Sequence, residues 1–267
     1  MRVSAFTVVT VGTTIEETVA TLAELGYEGV EWRVHDEGHI RPTSLLADAE
    51  RARKASQSYG LAVSGLSTYL ANCQLGNAKQ IEAVVEAATI LGATQVRVYP
   101  SRYTGETPFG ELLERTRHDL ESAVQIASKR NVRLLTEIHF GYLTSSPSLA
   151  YMLVHGFDPD CVGVLFDPGN MIIEGMEQWK LGLELLGPYL SHVHLKNALW
   201  YRDERGWQRR WAGLEEGQVH WPDVLAALHA VGYDGWLSLE DLRPVPWRER
   251  LAEIAYVRQL IGRSRPG

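Results

Sequence analysis

Stretches with strand character alternate with helical stretches along the whole chain, and this alternation restricts the fold more than any other feature of the sequence. The helical stretches carry apolar residues at helical spacing, and several end at a glycine, as at Gly26, Gly60 and Gly92. Strands that alternate with helices pair in parallel through right-handed crossovers. The strands predicted in this way cover residues 3–8, 29–34, 61–66, 94–99, 132–138, 162–166, 190–195 and 235–239.

Eight strand–helix units in a chain of 267 residues predict an α/β fold, a (β/α)8 TIM barrel that forms a single domain over residues 1–267. The alternative is a doubly wound open sheet. It is disfavoured because the first strand–helix turn, at 10–14, lacks the glycine pattern of a dinucleotide-binding fingerprint. No linker rich in proline, glycine or serine divides the chain. We therefore expect one domain, with functional residues at the carboxyl ends of its strands.

Composition and charge argue against several classes of function. Hydrophobic residues make up 45% and charged residues 22% of the chain, which is ordinary for a globular protein. A formal net charge of −7 disfavours a nucleic-acid partner held by bulk electrostatics. No apolar run reaches the roughly 18 residues of a membrane span, and the first residues do not resemble a signal peptide. Cys73 and Cys161 lie far apart without ligand-like spacing, so we expect no disulfide framework and a cytoplasmic location.

The strand at 190–195 carries imidazoles on one face. Side chains alternate between the two faces of a strand, so His192, His194 and the following Lys196 share a face. Polar groups inside a buried strand are costly unless they are hydrogen-bonded or bind a metal. This strand is therefore the first candidate for a functional site.

Three other predicted strands end in a carboxylate, at Glu137, Asp167 and Glu240. We predict that these three carboxylates and one histidine meet around a single divalent metal ion, because clustered carboxylates without a cation would have to stay partly protonated. One imidazole and three carboxylates form an oxygen-rich ligand set. Such a set suits Mn²⁺, Mg²⁺ or Co²⁺, and Zn²⁺ is a further candidate.

The sequence resembles the sugar phosphate isomerase/epimerase family, whose members have the xylose isomerase-like barrel. The resemblance covers essentially the whole chain, and its most specific parts are the runs HVHLK and DGWLSLE. The runs that carry it, in chain order, are GVEWRV, TEIH, GVLFDPGN, SHVHLKN and GYDGWLSLED.

The resemblance implies which residues hold the metal. The ligands of the family correspond to Glu137, Asp167, His194 and Glu240, so the second histidine of HVHLK is the ligand. His192 is then a core residue that packs below the metal or hydrogen-bonds another ligand. Two departures stand out. Many members carry a histidine where this chain has Asn170, and strands three and four lack the extra histidines of the related AP endonucleases, which disfavours a multinuclear zinc nuclease.

The function implied by the resemblance is that of a metal-dependent isomerase or epimerase, acting on a sugar or a related polyhydroxy carbonyl compound. Its chemistry is proton transfer through an enediolate, with Glu137 and Glu240 as ligands and as the acid/base pair on opposite sides of the barrel mouth. The main alternative is a metal-dependent dehydratase of an inosose- or shikimate-like compound. An AP endonuclease-like phosphodiesterase and a non-catalytic barrel are further alternatives, and the intact ligand set argues against the last.

Six further residues are candidates for substrate binding. The polar candidates lie near strand ends, where their side chains can donate hydrogen bonds to hydroxyls or to a developing oxyanion. Glu31 can orient His194 or a substrate hydroxyl, or pair with Arg33, and the sequence leaves these alternatives open. Specificity is expected to depend on the loops around Tyr69 and Tyr103 as well. The six candidates are His35, Arg97, His139, Asn170, Lys196 and Trp211.

The segment 199–211, which contains Trp211, is an unusually long strand–helix connection with three tryptophans and four arginines. Long loops in compact domains are often lids or contact surfaces. Aromatic rings stack on sugar faces, and tryptophan and arginine are enriched at protein interfaces. A lid or a contact in a homo-oligomer is therefore favoured over nucleic-acid binding. The partner that we expect is a small-molecule sugar or polyol, with no nucleic acid and no membrane.

Overall fold

Eight parallel strands close into a barrel in the computed structural model, which describes residues 1–68 and 77–263. Tyr69 and Cys73 lie outside the described residues. The strands are β1 (Arg2–Phe6), β2 (Gly29–Val34), β3 (Ala62–Thr68), β4 (Gln95–Val98), β5 (Arg133–Glu137), β6 (Val162–Phe166), β7 (Leu190–Leu195), β8 (Asn197–Asp203), β9 (Gly206–Ala212) and β10 (Trp236–Leu239). The order around the ring is β1-β10-β7-β6-β5-β4-β3-β2, while β8 and β9 pair separately, so the predicted (β/α)8 barrel is confirmed.

Helices surround the barrel, and several begin at the capping residues that the sequence offers. The side chains of Thr14, Asn77 and Ser146 each accept a hydrogen bond from a backbone N–H in the first turn of the helix that follows. Gly92 ends a helix in the left-handed conformation, with φ of 80°. The helices are α1 (Ile15–Glu24), α2 (Leu45–Ser58), α3 (Ala78–Leu91), α4 (Phe109–Ala127), α5 (Pro147–Val154), α6 (Pro168–Ile173), α7 (Trp179–Leu186), α8 (Trp221–Ala230), α9 (Trp247–Leu251) and α10 (Ile254–Arg263).

Three elements differ from the sequence prediction. The first strand ends at Phe6, because a 3₁₀ turn over Thr7–Thr10 follows in which the Thr10 hydroxyl donates to the Thr7 carbonyl. A short helix that was not predicted, α6, directly follows β6. The last helical stretch of the chain is divided into two helices, α9 and α10. The first two differences lie at strand ends, where local hydrogen bonds outweigh the periodicity of the sequence.

The segment 199–211 is a β-hairpin and not an irregular loop. In the antiparallel pair β8–β9, Trp200 lies opposite Arg209 and Arg202 lies opposite Trp207. The Trp200 indole donates a hydrogen bond of 2.8 Å to the Ile172 carbonyl of α6, which anchors the hairpin beside the barrel mouth. Trp207 points away and is 67% exposed. The segment therefore extends the seventh strand–helix unit as a two-stranded arm.

The barrel interior is polar towards its carboxyl ends, whereas the space between strands and helices is apolar. On β2, Val30 and Trp32 lie in the hydrophobic core, and Glu31 on the other face is buried inside the barrel. This alternation is the strand periodicity that the sequence showed. Within residues 1–68 and 77–263, no helix has the length and apolar character needed to cross a membrane.

Candidate metal centre

Four side chains from different strands converge at the carboxyl end of the barrel. Glu137 ends β5, Asp167 and Glu240 follow β6 and β10, and His194 lies within β7. All four are buried, and each offers one ligand atom that lies within 4.8 Å of the other three. We call Glu137, Asp167, His194 and Glu240 the upper cluster. The structure thus brings together the four residues that were predicted as metal ligands, and their role as ligands stays a prediction.

The Nδ1 atom of His194 lies at the centre of the upper cluster. It lies 3.0 Å from Oε2 of Glu240, 3.4 Å from Oε1 of Glu137 and 3.7 Å from Oδ2 of Asp167. This buried nitrogen nevertheless makes no hydrogen bond within the described residues. Three carboxylate oxygens and one imidazole nitrogen form an oxygen-rich donor set, which fits a single divalent cation. The residues present therefore fit the metal that the sequence implied.

Two cationic side chains partly balance the carboxylates. Arg97 donates a hydrogen bond of 2.8 Å to Oε2 of Glu137, and Lys196 donates one of 2.9 Å to Oε2 of Glu240. Burial raises the pKa of Glu240, but Lys196 and His194 outweigh this effect and lower it to about 2. Burial likewise opposes ionisation of Glu137, yet the Arg97 guanidinium brings its pKa well below the usual range. Both glutamates are therefore ionised at neutral pH.

The pKa values of Asp167 and His194 are raised instead. Burial raises the pKa of Asp167, and the negative charges of Glu240 and Glu137 add to this effect, so that its pKa stays above the ordinary value despite Lys196. Burial lowers the pKa of His194, but Glu31 and Glu240 outweigh it and raise the pKa well above 6.5. Negative charge is thus in excess within the upper cluster, and it favours a proton or a cation there.

Asn170 hydrogen-bonds two carboxylates of the upper cluster and the neighbouring Lys196. Its amide nitrogen lies 2.8 Å from Oδ2 of Asp167 and 3.3 Å from Oε1 of Glu137, and its amide oxygen accepts from Lys196 at 3.1 Å. The side chain is fully buried. The sequence predicted substrate binding for Asn170, and the structure adds a supporting contact with two of the carboxylates.

A second group of polar side chains lies directly below the upper cluster. We call Glu31, Ser67, Gln95 and His192 the lower cluster. Both oxygens of Glu31 contact Nε2 of His194, at 3.1 and 3.2 Å, so Glu31 takes the orienting position that the sequence allowed. His192 also contacts Glu31, at 3.0 Å, and the Ser67 hydroxyl donates to the same carboxylate.

The remaining substrate-binding candidates lie at the rim of the mouth. His139 stacks on Phe140, with ring centroids 4.5 Å apart, and meets Tyr99 edge-on. The ring of Trp211 lies 4.5 Å from Nζ of Lys196, which places the base of the hairpin over the upper cluster. His35 lies in the loop after β2, where its Nδ1 accepts from the Glu37 backbone. The roles of these residues towards a substrate stay predictions.

Sequence reasoning missed Gln95 and Ser67. Gln95 shares a strand face with Arg97, so the alternation of side chains could have placed it inside the barrel. Ser67 follows the predicted end of the third strand at 66, and a strand extended by two residues would have included it. His192 was expected to pack below the metal or to hydrogen-bond a ligand. It is buried below the upper cluster, where it contacts Glu31, which in turn contacts the ligand candidate His194.

The fold matches that of several proteins of known structure. A D-tagatose 3-epimerase-like protein superposes with a TM-score of 0.78 at 18% identity, covering 99% of this chain and 98% of that chain. The IolI protein with a bound zinc atom gives a TM-score of 0.80 at 16% identity over 100% of both chains. The probable 3-DHS dehydratase AsbF of Bacillus anthracis gives 0.75 at 18% identity, covering 97% and 99%. At these identities the likeness shows the fold.

One curated relative is similar in sequence. An uncharacterized protein of Methanocaldococcus jannaschii is 27% identical over 168 residues, which cover 60% of this chain and 55% of that protein. The chain thus spans about half the length of this relative. A model of the xylose isomerase-like TIM barrel family matches residues 19–260. This match confirms the resemblance seen in the sequence, and the chain belongs to the xylose isomerase-like TIM barrel family.

Proposed function

We propose that this chain is a divalent-metal-dependent isomerase or epimerase that acts on a sugar or a related polyhydroxy carbonyl compound. The observation that carries the proposal is the upper cluster, in which three buried carboxylates surround the unbonded Nδ1 of His194. The likeness to a D-tagatose 3-epimerase-like protein supports this class of reaction. A small-molecule partner, a cytoplasmic location and a single domain over 1–267 stay predictions.

The upper cluster would hold the cation through Glu137, Asp167, His194 and Glu240. A cation held there would supply Lewis-acid polarisation of a substrate carbonyl and would stabilise negative charge that develops on its oxygen. The oxygen-rich ligand set favours Mn²⁺, Mg²⁺ or Co²⁺. Zinc, which the similar IolI structure contains, is the further candidate.

Glu137 and Glu240 are the proposed acid/base pair. In the ring, β6 and β7 separate β5 from β10, so the two glutamates flank Asp167 and His194 instead of facing each other across the whole mouth. Their pKa values lie below the usual range, so each starts as a carboxylate that can accept a carbon-bound proton. One carboxylate removes the carbon-bound proton and is left protonated. The other, which must first take a proton from solvent, returns it to the opposite face in an epimerase or to the neighbouring carbon in an isomerase.

Substrate hydroxyls are the proposed targets of the surrounding donors. Lys196 keeps its positive charge because Asp167 and Glu240 outweigh burial and raise its pKa, so it can stabilise a developing oxyanion. Arg97, His139, Asn170 and His35 are the further polar contacts. Trp211 offers a ring at the mouth for stacking on the sugar face.

A dehydratase is the second candidate function. The probable 3-DHS dehydratase AsbF shares the fold, and the Lys196 ammonium next to Glu240 could protonate a leaving hydroxyl. An elimination would give an absorbing enone or aromatic product from an inosose- or shikimate-like compound. An increase in ultraviolet absorbance without isomeric products therefore distinguishes the dehydratase from the epimerase.

The test combines metal analysis with proton exchange. We expect about one divalent ion per chain by elemental analysis, and incorporation of solvent deuterium into an accepted ketose. Glu137→Gln and Glu240→Gln should each lower the exchange rate at least about 100-fold, because each removes a proton carrier. Glu121→Gln on the exposed surface of α4 is the matched control and should leave the rate unchanged. Full exchange in both active-site variants would remove the acid/base assignment.

A further inference from the structure

The hydrogen bonds of the lower cluster have a fixed direction, because the chain of contacts begins at a group that can only accept. The Ser64 carbonyl accepts from Nε2 of Gln95 at 2.7 Å, which identifies that atom as the amide nitrogen. The same nitrogen lies 2.9 Å from Nδ1 of His192. Since an amide nitrogen only donates, Nδ1 of His192 is the acceptor, and it carries no proton.

The direction continues through the two histidines. With Nδ1 of His192 accepting, the ring proton lies on Nε2, which donates to Oε2 of Glu31 at 3.0 Å. Glu31 also contacts Nε2 of His194, and as a carboxylate it can only accept. Nε2 of His194 is therefore a donor as well. This leaves Nδ1 of His194 to face the carboxylates of the upper cluster.

Two irregularities in the barrel supply this arrangement. Val30 pairs with Val63 and Glu31 with Gly65, so Ser64 is left over between the pairs, and its carbonyl turns to Gln95. Ser191 is left over in the same way between β6 and β7, one residue before His192. At Gly163 a Cβ would overlap the Ser191 hydroxyl, so the glycine makes room for the second irregularity. Bulges of this kind re-aim side chains next to functional sites.

We infer that Ser64, Gln95 and His192 form a relay that acts through Glu31 to fix His194 with Nδ1 directed at the upper cluster, and that Gln95 and His192 are positioning residues for the proposed metal site. The inference rests on the metal role proposed above. Gln95 on β4 and His192 on β7 would support this site from below, through hydrogen bonds to each other and to Glu31. Second-sphere hydrogen bonds of this type set the orientation and basicity of a ligating histidine.

The relay also argues against a second metal site in the lower part of the barrel. Glu31, His192 and His194 by themselves offer three atoms that could hold a second cation. In the relay, Nε2 of each histidine carries a proton and donates a hydrogen bond to Glu31. Neither nitrogen therefore keeps a lone pair for a metal. We therefore expect one zinc ion per chain, and two ions bound with similar affinity would overturn the relay.

The test reverses one hydrogen bond without changing the shape of the side chain. Gln95→Glu replaces the donor to His192 by an acceptor, and Gln95→Met keeps the length but removes both bonds. Gln125→Glu, on the exposed face of α4, is the control with the same change in charge. The readouts are the ¹⁵N signals of the His192 ring, assigned with His192→Asn, and the zinc affinity measured against a chelator.

In the wild type we expect Nδ1 of His192 to give an unprotonated signal, in both the metal-free and the zinc-loaded protein. Gln95→Glu should move that signal to the protonated region and weaken zinc binding about 10-fold. Gln95→Met should weaken it by a smaller factor, and Gln125→Glu should change neither readout. A protonated Nδ1 in the wild type, or wild-type zinc affinity in both Gln95 variants, would overturn the relay. Absence of zinc binding to the wild type would instead refute the proposed metal site, while the metal-free signal still tests the relay.

Discussion

The upper and lower clusters are adjacent inside the same barrel, but they balance their charges in different ways. In the lower cluster one carboxylate, Glu31, accepts from the Ser67 hydroxyl, from His192 and from His194 of the upper cluster, so donors match its acceptor oxygens. In the upper cluster three carboxylates share two cations and one imidazole, whose Nδ1 makes no hydrogen bond within the described residues. The first arrangement is structural, whereas the second leaves an excess of acceptors.

The difference shows how a barrel can separate rigidity from reactivity. Buried polar groups that are fully hydrogen-bonded specify one conformation. Buried carboxylates in excess favour a cation instead. His194 belongs to both regions, with Nε2 on Glu31 and Nδ1 among the ligand candidates, so it transmits the order of the lower cluster to the upper one. Substitutions in each cluster test this division, and the largest effect is expected at Glu31.

Removing the carboxylate of the lower cluster should cost the most stability. Glu31→Leu leaves the two Nε2 donors of His192 and His194 without an acceptor. In the metal-free protein we expect the free energy of unfolding in urea to fall by about 3–5 kcal/mol, as for other buried ion pairs that lose one partner. If the free energy of unfolding fell by less than about 1 kcal/mol, the lower cluster would not stabilise the fold as proposed.

The upper cluster should depend on the metal instead. A divalent ion at roughly 100 times its Kd should stabilise the wild type by about 3 kcal/mol. Asp167→Asn should lose most of this gain, because the amide is a neutral and weaker ligand. Without metal the variant should lose about 1–2 kcal/mol, because the amide NH₂ that replaces Oδ2 faces the amide nitrogen of Asn170 and the Lys196 ammonium.

Thermal unfolding with and without added Mn²⁺ checks this prediction. Asparagine also keeps the N-cap contact of Asp167 with the Asn170 backbone, so helix α6 is preserved in the variant. Equal stabilisation of both proteins by the metal would contradict the division between the clusters.

His39 provides a buried histidine outside both clusters, next to the hydroxyls of Thr13 and Thr18. Burial and the charge of Arg33 lower its pKa to about 4. The unfolded chain binds a proton near pH 6.5 but the folded protein does not, so stability is lost as the pH falls from about 6.5 towards 4. Between pH 7 and pH 5 this loss amounts to about 2 kcal/mol.

Urea unfolding of metal-free wild type and His39→Asn at several pH values isolates this contribution. The variant should lose about 2 kcal/mol less than the wild type between pH 7 and pH 5. The result sharpens the comparison, because it shows what burial does to an imidazole without a carboxylate beside it. Parallel pH profiles of the two proteins would contradict the lowered pKa of His39.

The smallest effect concerns the backbone that supports the upper cluster. A Cβ at Gly169 would lie 2.7 Å from Cγ of Lys196, so Gly169→Ala should displace that side chain and cost about 1–2 kcal/mol in urea unfolding. At Gly110, on the surface of α4, a Cβ meets nothing within 4 Å. Gly110→Ala should therefore stabilise the protein by about 0.5–1 kcal/mol. Equal effects at both positions would rule out a close approach at Gly169.

Much of the fold could be predicted because parallel strands in a barrel bring their carboxyl ends to one mouth, and the alternation of side chains decides which residues face inwards. Glu137, Asp167, His194 and Glu240 needed only their positions at strand ends, plus the family resemblance that chose His194 over His192. The periodicity within each segment was sufficient, since no long-range register had to be known.

The relay below the site could not be predicted in the same way. Gln95 and His192 meet across the inside of the barrel, and their contact depends on the residues left over at Ser64 and Ser191, which shift the register without a sequence signal. The hairpin at 199–211 was also missed, because its alternating tryptophan and arginine residues lack the apolar face of a core strand.

Asp167 has a consequence for anyone who wishes to exchange loops between barrels of this kind. One of its oxygens accepts from the Asn170 backbone at the start of α6, and the other belongs to the upper cluster. A graft that replaces this residue therefore removes a helix start and a ligand candidate in one step. Changes to the connection after β6 are best begun after Ile173, because they then leave both the helix start and the ligand candidate unchanged.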